Sequence, residues 1–364
     1  MIFLLLQLTN AATQGEIGVL NPFCGYVKFL PPRIPIPTFW NDEERLLLTG
    51  TSLEAALESK LRSLNREFTM LQEKTTSIEW CQNYWWDTET GTLTFDDWKQ
   101  IDAMYRSRAL DLPGTGHAVV PCIDMANHAS GNETKALYDT DGNGNAILAL
   151  RDGKKTTINE EITITYGDDK GACEMLFSYG FIESNMKSAR ELFLDLDIPD
   201  DDPLRLAKKA VSKEAPGFRL FRQGDSIGWE GSYVWLIVIN EEDGLEFELL
   251  QDSNGERELQ ASWKDEVLLD LSQLESLARK EHLWDVFNLR AITTLQNRVE
   301  QQLFRLEGSN KYIEELLKDK IIEQATRDNA RRLRDLEETL MLHAYEVFES
   351  KVESMLYEGW MSLT

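Results

Sequence analysis

Cysteine is scarce in this sequence, and its spacing excludes two kinds of site. The chain has 364 residues and four cysteines, Cys24, Cys81, Cys122 and Cys173, which lie far apart with no CxxC pair. This arrangement fits neither a zinc cluster nor a disulfide framework. We therefore expect reduced, mostly buried thiols and no metal site.

Long hydrophobic runs are also missing. The apolar opening from Ile2 to Leu8 is too short to span a bilayer, and no basic segment precedes it. The start of a buried or amphipathic helix is the favoured interpretation, and neither a signal peptide nor a membrane interaction is expected. The expected location is the cytoplasm, the nucleus or both.

Basic residues are few relative to acidic ones. The chain carries 63 Asp and Glu against 38 Lys and Arg, a formal net charge of −25. Such a field repels phosphate backbones and attracts cations, so nucleic acid is not expected as a ligand and a basic protein is a plausible partner. Hydrophobic residues make up 42% of the chain, which predicts a packed fold of about two domains at this length.

Hydrophobic periodicity predicts helices in the first part of the chain and towards its end. The acidic run Asn41–Glu44 marks a helix start, and the leucines that follow recur at helical spacing up to Leu64. Near the end of the chain, one helical stripe runs from Ile292 to Leu306 and another from Leu333 to Val347. A turn is predicted between these stripes, at Gly308-Ser309-Asn310.

Strands are predicted after about residue 115. They are the runs Thr134–Tyr138, Ala146–Leu150 and the alternating Glu161–Tyr166. The loop Asp139–Asn145 between the first two resembles the start of a calcium-binding loop, but Leu150 stands where that motif needs a bidentate Glu. A glycine- and asparagine-rich hairpin turn is the preferred interpretation.

Three short motifs between Tyr105 and Asn185 carry the chemical signal. Each is weak alone, and they occur in the order Ser107-Arg108, Val120-Pro121-Cys122-Ile123-Asp124-Met125-Ala126-Asn127-His128, and Glu160–Gly167 with Phe177-Ser178-Tyr179-Gly180-Phe181. In this order they resemble the SET domain of protein methyltransferases, in particular the branch typified by Rubisco large-subunit methyltransferase.

The resemblance implies an α+β fold. A small β-rich SET core would occupy residues 106–190, with a helical insert over 1–105 and a mostly helical, substrate-binding-like domain over 191–364. Family members begin with a glycine-containing strand segment upstream of the insert, and nothing in this sequence corresponds to it. We therefore expect a SET core that is incomplete at its N-terminus.

The resemblance also implies roles for individual residues. Asn127 and His128 would contact S-adenosylmethionine, and Arg108 would border both the cofactor and the lysine channel. Tyr166 would be the catalytic tyrosine beside the reacting methyl group. The implied walls of the lysine channel are Tyr179 and Phe181.

Three functions stay open on the sequence. The first is an S-adenosylmethionine-dependent lysine N-methyltransferase acting on a non-histone protein. The second is a catalytically impaired, SET-derived module that binds a basic protein. The third keeps methyl transfer but directs it at histidine, as in a relative of this branch.

Overall fold

The computed structural model describes residues 1–12, 23–87, 89, 93–251, 257–264 and 266–361. The chain forms two compact units. Unit 1 consists of Met1–Arg45 and Leu53–Ser184, and unit 2 of Leu46–Ser52 and Asn185–Thr364. The predicted three-part division, at residues 105 and 190, stays a prediction.

Unit 1 is helical in its first part. The helix start predicted at Asn41 is confirmed, because Asn41 Oδ1 accepts from the Glu44 amide and Glu44 Oε2 accepts from the Asn41 amide, each at 2.9 Å. The leucines that follow do not form one helix, since a loop around Gly50 separates two. The helices are α1 (Ile2–Ala12), α2 (Cys24–Val27), α3 (Asp42–Leu46), α4 (Ser52–Thr75), α5 (Glu79–Cys81), continued by a π-helical turn over Gln82–Trp86, α6 (Phe95–Arg108) and α7 (Ala172–Tyr179).

A buried carboxylate ties three of these helices together. Asp102 on α6 is 1% exposed and lies 2.6 Å from Lys60 Nζ on α4. Its other oxygen accepts from Arg106 Nε at 2.8 Å, and Arg106 donates in turn to the Phe177 carbonyl on α7 at 2.7 Å. A buried charge is tolerated only when it is paired in this way. The network therefore fixes α7, which carries Tyr179, against α6, which carries Arg108.

In the described part of unit 1, the sheet structure consists of two antiparallel hairpins, β1–β2 and β3–β4. The hairpin predicted around Asp139–Asn145 is confirmed, and Asp141 Oδ1 accepts from the amides of Asn143 and Asn145 in its turn. The strand predicted over Glu161–Tyr166 is wrong: among the described residues this segment forms one isolated parallel bridge, from Ile164 to His128, and the Thr163 carbonyl accepts from the amides of Lys135 and Ala136. The four strands are β1 (Ala109–Leu112), β2 (Gly116–Val119), β3 (Ala136–Thr140) and β4 (Ala146–Leu150).

Unit 2 combines two three-stranded antiparallel sheets with helices. The strand orders are β5-β6-β7 and β8-β9-β10, each strand pairing with its neighbour along the chain. Its strands are β5 (Glu191–Asp195), β6 (Gly217–Gln223), β7 (Ser226–Glu230), β8 (Leu245–Gln251), β9 (Arg257–Trp263) and β10 (Glu266–Leu268). Its helices are α8 (Arg205–Val211), α9 (Ser232–Val238), α10 (Gln273–Ala278), α11 (Trp284–Asp319) and α12 (Gln324–Met361). The α+β fold with a mostly helical C-terminal part is confirmed.

The turn predicted at Gly308-Ser309-Asn310 is wrong. Helix α11 continues through these residues to Asp319, and the break before α12 lies at residues 320–323. Arg334 on α12 donates to the side chains of Ser309 and Asn310, at 2.8 and 2.6 Å. These tertiary bonds hold a stretch of turn-forming residues in a helix.

The short segment Leu46–Ser52 belongs to unit 2 and packs on both long helices. Gly50 has φ +83°, and a Cβ at this position would meet the backbone of Leu306 at 2.8 Å. Its carbonyl accepts from Gln302 Nε2 at 2.5 Å, and Arg334 donates to the Thr49 carbonyl. Only glycine fits this close approach and left-handed backbone without strain.

Two charged side chains are fully buried in unit 2. Glu337 on α12 is 0% exposed and accepts from the Ser52 amide at 2.8 Å and from Ser52 Oγ at 2.5 Å. Lys208 on α8 is also 0% exposed and lies 2.6 Å from Asp202 Oδ2 and 2.9 Å from Asn240 Oδ1. Burial raises the pKa of Glu337 to about 7 and lowers that of Lys208, because desolvation disfavours both charged forms.

The prediction of mostly buried thiols is wrong for the cysteine side chains that the structure describes. Cys81 is buried, Cys173 is half-buried and Cys122 is exposed. The side chain of Cys24 lies outside the described residues. In the described part of the chain, no helix has the length and apolar character needed to cross a membrane.

Candidate active site

The first element of the site is a buried polar group centred on Asp124. Cys122 has φ +76° and turns the chain into a single 3-10 turn, Ile123–Met125, which directs Asp124 inwards. The Asp124 side chain is fully shielded, and its Oδ2 accepts from Tyr26 Oη at 2.5 Å and from Arg108 Nη1 at 3.2 Å. Arg108 Nη1 also donates to the Asp124 carbonyl at 3.1 Å. Arg108 is thus fixed at the C-terminal end of α6.

Two buried polar atoms of this group make no hydrogen bond to the described part of the protein. Asp124 Oδ1 and Arg108 Nε are both buried, and neither has a hydrogen-bond partner among the described residues. Buried polar atoms without partners are costly, and in a native site they commonly meet a ligand or water. Burial, and then the bond to Asp124, raise the pKa of the Tyr26 hydroxyl well above its usual range. Tyr26 is therefore a neutral donor to this carboxylate.

The second element is the crossing of two chain segments at His128. The Ile164 amide donates to the Asn127 carbonyl at 3.0 Å, and the Ala129 amide donates to the Ile164 carbonyl at 2.9 Å. These bonds form the parallel bridge between His128 and Ile164. Two segments far apart in sequence are thereby held side by side, with His128 and Tyr166 on neighbouring positions.

Tyr166 is held at both its backbone and its side chain. Its amide donates to His128 Nδ1 at 3.0 Å, and its hydroxyl donates to the Ala126 carbonyl at 3.0 Å. Desolvation by burial raises the pKa of the hydroxyl. The phenol is consequently neutral and fixed in direction, and its oxygen lone pairs remain able to accept.

An aromatic cluster surrounds Tyr166. Its ring centroid lies 4.6 Å from that of Tyr179, 5.2 Å from that of His128 and 6.5 Å from that of Phe181. Tyr179 and Phe181 are themselves 6.4 Å apart. Gly180 between them has φ +82°, and a Cβ there would lie 2.6 Å from the Pro35 carbonyl oxygen. The left-handed glycine ends α7 and lets both neighbours reach the same cluster.

The cluster is half-buried, and this burial perturbs its phenols. Burial raises the pKa of Tyr179 to about 12, with a smaller contribution from the negative charge of Glu174. Both tyrosines are neutral at physiological pH. The rings around Tyr166 are thus an uncharged phenol and a phenyl ring, together with the imidazole of His128.

Most of the residues predicted for the site come together. His128, Tyr166, Tyr179 and Phe181 form one cluster, and Arg108 is held on the neighbouring Asp124 group. The Asn127 side chain is not part of either, since it is exposed and donates to Glu161 Oε1 at 2.5 Å. The predicted roles of Arg108, Asn127 and His128 in binding the cofactor stay predictions, as do those of Tyr166, Tyr179 and Phe181.

Three residues of the site were not identified from the sequence. Asp124 lies within the second sequence motif, between Pro121 and Asn127. A carboxylate in this otherwise apolar run could have marked it as a site residue. Glu183 follows Phe181 by two positions and lies, nearly buried, 3.3 Å from His128 Nε2. Tyr26 reaches Asp124 from a distant part of the chain, and no local pattern marks it.

Comparison with known proteins was made for the whole chain, and no family model matches it. SET domain-containing protein 8 of Schizosaccharomyces pombe is 28% identical over 271 residues, covering 72% of this chain and 59% of that protein. A crystal structure of the SET domain of LSMT bound to MeLysine and AdoHcy superimposes with a TM-score of 0.64 at 19% identity, covering 97% of this chain and 76% of that one. The chain therefore has the fold of that SET domain. The resemblance inferred from the three sequence motifs is thereby confirmed.

A further relative of this chain is an enzyme named for its substrate. The [fructose-bisphosphate aldolase]-lysine N-methyltransferase of Arabidopsis thaliana chloroplasts is 27% identical over 184 residues, covering 49% of this chain and 37% of that enzyme. The chain spans about three fifths of the length of the yeast relative and about two fifths of the plant one. The described residues contain no group of three or more side chains that could hold a metal ion.

Proposed function

We propose that this protein transfers a methyl group from S-adenosylmethionine to the side-chain nitrogen of a lysine in a non-histone protein. The observation that supports this most directly is the aromatic cluster, in which Tyr166 is anchored at its amide and its hydroxyl beside Tyr179 and Phe181. Two comparisons support the same activity. One relative is named as a lysine N-methyltransferase, and the similar fold was solved with methyllysine and AdoHcy.

The residues present fit the polar end of S-adenosylmethionine. That end carries a carboxylate and an ammonium group. Arg108 Nε is a buried, unengaged cationic donor, and Asp124 Oδ1 is a buried, unengaged anionic acceptor. Charge-assisted hydrogen bonds of both signs are therefore available side by side. When bound, the cofactor supplies an electrophilic methyl carbon on a sulfonium, with a neutral thioether as leaving group.

The main obstacle to this reaction is the proton on the acceptor lysine. A free lysine has a pKa of about 10.4, so neutralising it at pH 7 costs roughly 4–5 kcal/mol at about 1.4 kcal/mol per unit. A half-buried wall of neutral aromatic side chains disfavours the ammonium form and lowers this cost. Tyr179 and Phe181 would exclude water, and the oxygen of Tyr166 would accept an N–H bond that aligns the amine.

We further propose that the protein substrate is basic. The net charge of −25 favours encounters with Lys- and Arg-rich surfaces. Such attraction is screened by salt. The KM for the protein substrate should therefore rise with ionic strength, while the KM for S-adenosylmethionine should not.

The proposal is tested by binding and by methyl transfer with the full chain. Calorimetry with AdoHcy should show binding that Arg108→Met weakens at least tenfold, as expected for loss of one charge-assisted bond. Incubation with labelled S-adenosylmethionine and a set of lysine-rich proteins should label a lysine, which mass spectrometry of the acceptor identifies. Labelling of histidine instead would assign the other acceptor chemistry.

A pair of tyrosine variants separates catalysis from folding. Tyr166→Phe should lower kcat by about 10²-fold, in the range for losing one positioned polar group, and leave AdoHcy affinity within about twofold. Tyr312→Phe, at an exposed position on α11, is the matched control and should leave both unchanged. Absence of AdoHcy binding together with equal, undetectable methylation by the unmodified chain and Tyr166→Phe would overturn the proposal in favour of a binding module.

A further inference from the structure

Glu183 lies behind the aromatic cluster, on the side of His128 away from Tyr166. Its side chain and that of His128 are each 5% exposed, and Glu183 Oε1 is 3.3 Å from His128 Nε2. The contact is not aligned as a hydrogen bond, and it brings a carboxylate against one imidazole nitrogen. The other nitrogen, Nδ1, accepts from the Tyr166 amide at 3.0 Å.

The two contacts require one particular form of the imidazole. A nitrogen that accepts an N–H bond carries no proton, so the ring proton of His128 must be on Nε2. A carboxylate beside Nε2 stabilises this tautomer, since an N–H near a negative oxygen is favoured over a lone pair there. The partner of one ring nitrogen therefore decides what the other nitrogen can do.

We propose that Glu183 is a positioning residue for Tyr166, acting through the tautomer of His128. With the proton held on Nε2, His128 Nδ1 stays an acceptor and fixes the backbone of Tyr166. If the proton moved to Nδ1, that nitrogen and the Tyr166 amide would be two donors facing each other at 3.0 Å. The Tyr166 backbone would then shift, and the phenol that points at the Ala126 carbonyl would lose its direction.

The local backbone structure explains why Tyr166 needs this hydrogen bond to His128. Beyond the bridge to Ile164, Tyr166 leaves regular structure, and Gly167 follows it at φ +134°. Among the described residues, no backbone hydrogen bonds between the two segments continue past the bridge to hold Tyr166. The hydrogen bond from the Tyr166 amide to His128 Nδ1 replaces the next backbone bond that a regular strand pair would make.

The inference rests on the proposed function for its effect on catalysis, and its structural part can be measured without turnover. The chain has four histidines, so a long-range ¹H–¹⁵N spectrum of the uniformly labelled full chain contains four ring systems. Single Gln substitutions of His117, His282 and His343 assign the fourth to His128. We expect the Nε2–H tautomer for His128. Observation of the Nδ1–H tautomer, or of a doubly protonated ring, at neutral pH would overturn the proposal.

The variant Glu183→Gln tests the link from Glu183 to Tyr166. An amide at this position can donate to Nε2, so the ring should shift towards the Nδ1–H form and the Tyr166 amide should lose its protection from hydrogen exchange. The kcat should fall about tenfold, which corresponds to about 1.4 kcal/mol of lost transition-state stabilisation, with KM and AdoHcy affinity within about twofold. Glu73→Gln, an exposed carboxylate on α4, is the control and should change none of these.

The possible outcomes separate the two proposals. An unchanged His128 spectrum and unchanged Tyr166 protection in folded Glu183→Gln would refute the role of Glu183, whatever the activity. If Glu183→Gln does not fold, the tautomer in the unmodified chain decides. If no variant and no unmodified chain transfers a methyl group, the proposed function fails, while the spectrum still decides the positioning role.

Discussion

Glu337 should make unit 2 less stable as the pH rises from acidic values to neutrality. Its carboxyl group is fully buried on α12, and desolvation raises its pKa from the ordinary 4.5 to about 7, against the opposing effect of two hydrogen bonds from Ser52 and the charge of Arg334. Between these two values the folded protein keeps a proton that the unfolded chain has released. Its contribution to stability is therefore fully present below pH 4.5, falls as the pH rises to about 7, and is flat above that.

The size of the effect follows from the pKa values. At about 1.4 kcal/mol per pKa unit, the difference between pH 5 and pH 8 amounts to about 2–3 kcal/mol. Glu337→Gln keeps the shape and an oxygen for Ser52 but does not titrate. The free energy of unfolding of the Gln variant minus that of the unmodified chain should therefore grow by about 2–3 kcal/mol from pH 5 to pH 8.

Urea denaturation, followed through hydrogen exchange of α12 amides, measures this difference for unit 2 alone. Taking the difference between the two free energies of unfolding cancels the titration of every other group. Glu349→Gln, exposed on the same helix, should show no pH-dependent difference. A difference for Glu337→Gln that stays constant within about 0.5 kcal/mol, or that shrinks with pH, would refute the reasoning, since about 2–3 kcal/mol is required.

Three further predictions concern single positions. Gly50→Ala should destabilise the protein by at least about 1–3 kcal/mol in urea denaturation, because the left-handed backbone and the 2.8 Å approach to α11 leave no room for a Cβ. Lys208→Met should cost about 3–5 kcal/mol, because it leaves the carboxylate of Asp202 nearly buried and unpaired, and adding Asp202→Asn should restore most of the loss. Tyr26→Phe should weaken AdoHcy binding severalfold in calorimetry and cost about 1 kcal/mol of stability, because Asp124 loses its 2.5 Å donor. Unchanged affinity would show that Asp124 does not contact the cofactor.

Local patterns in the sequence predicted those features that local residues determine. The hairpin β3–β4 followed from Asp141, Gly142 and Gly144 between two apolar runs, because that turn is built from its own side chains and backbone. The start of α3 followed from Asn41 and Glu44, which cap each other.

The features that the sequence did not predict depend on distant parts of the chain. Gly308, Ser309 and Asn310 are turn formers by composition, and Arg334 from another helix keeps two of them helical. The alternation of Glu161–Tyr166 resembles a strand, but its neighbour at Asn127–Ala129 is irregular and supports only one bridge. Alternation reports which faces are buried and not whether a partner strand exists.

The site was predicted as a set of residues and not as a geometry. His128, Tyr166, Tyr179 and Phe181 were placed together by their motifs, and the structure brings their rings within 6.5 Å of Tyr166. The bonds that hold them could not be predicted, because Glu183 acts on Tyr166 through the second nitrogen of a histidine. No spacing rule relates those three residues.

The assignment of Leu46–Ser52 to unit 2 has a consequence for the modularity of this protein. The polypeptide passes from unit 1 into unit 2, returns, and passes into it again after Ser184, so no single cut separates the two. A fragment that begins at Asn185 would lack the Thr49 carbonyl that Arg334 binds and the Ser52 groups that Glu337 binds. In this fragment Glu337 would be buried without its two donors from Ser52, and Arg334 would lose one of its acceptors. We therefore expect the C-terminal half, produced alone, to aggregate unless the peptide of residues 46–52 is supplied or fused to it.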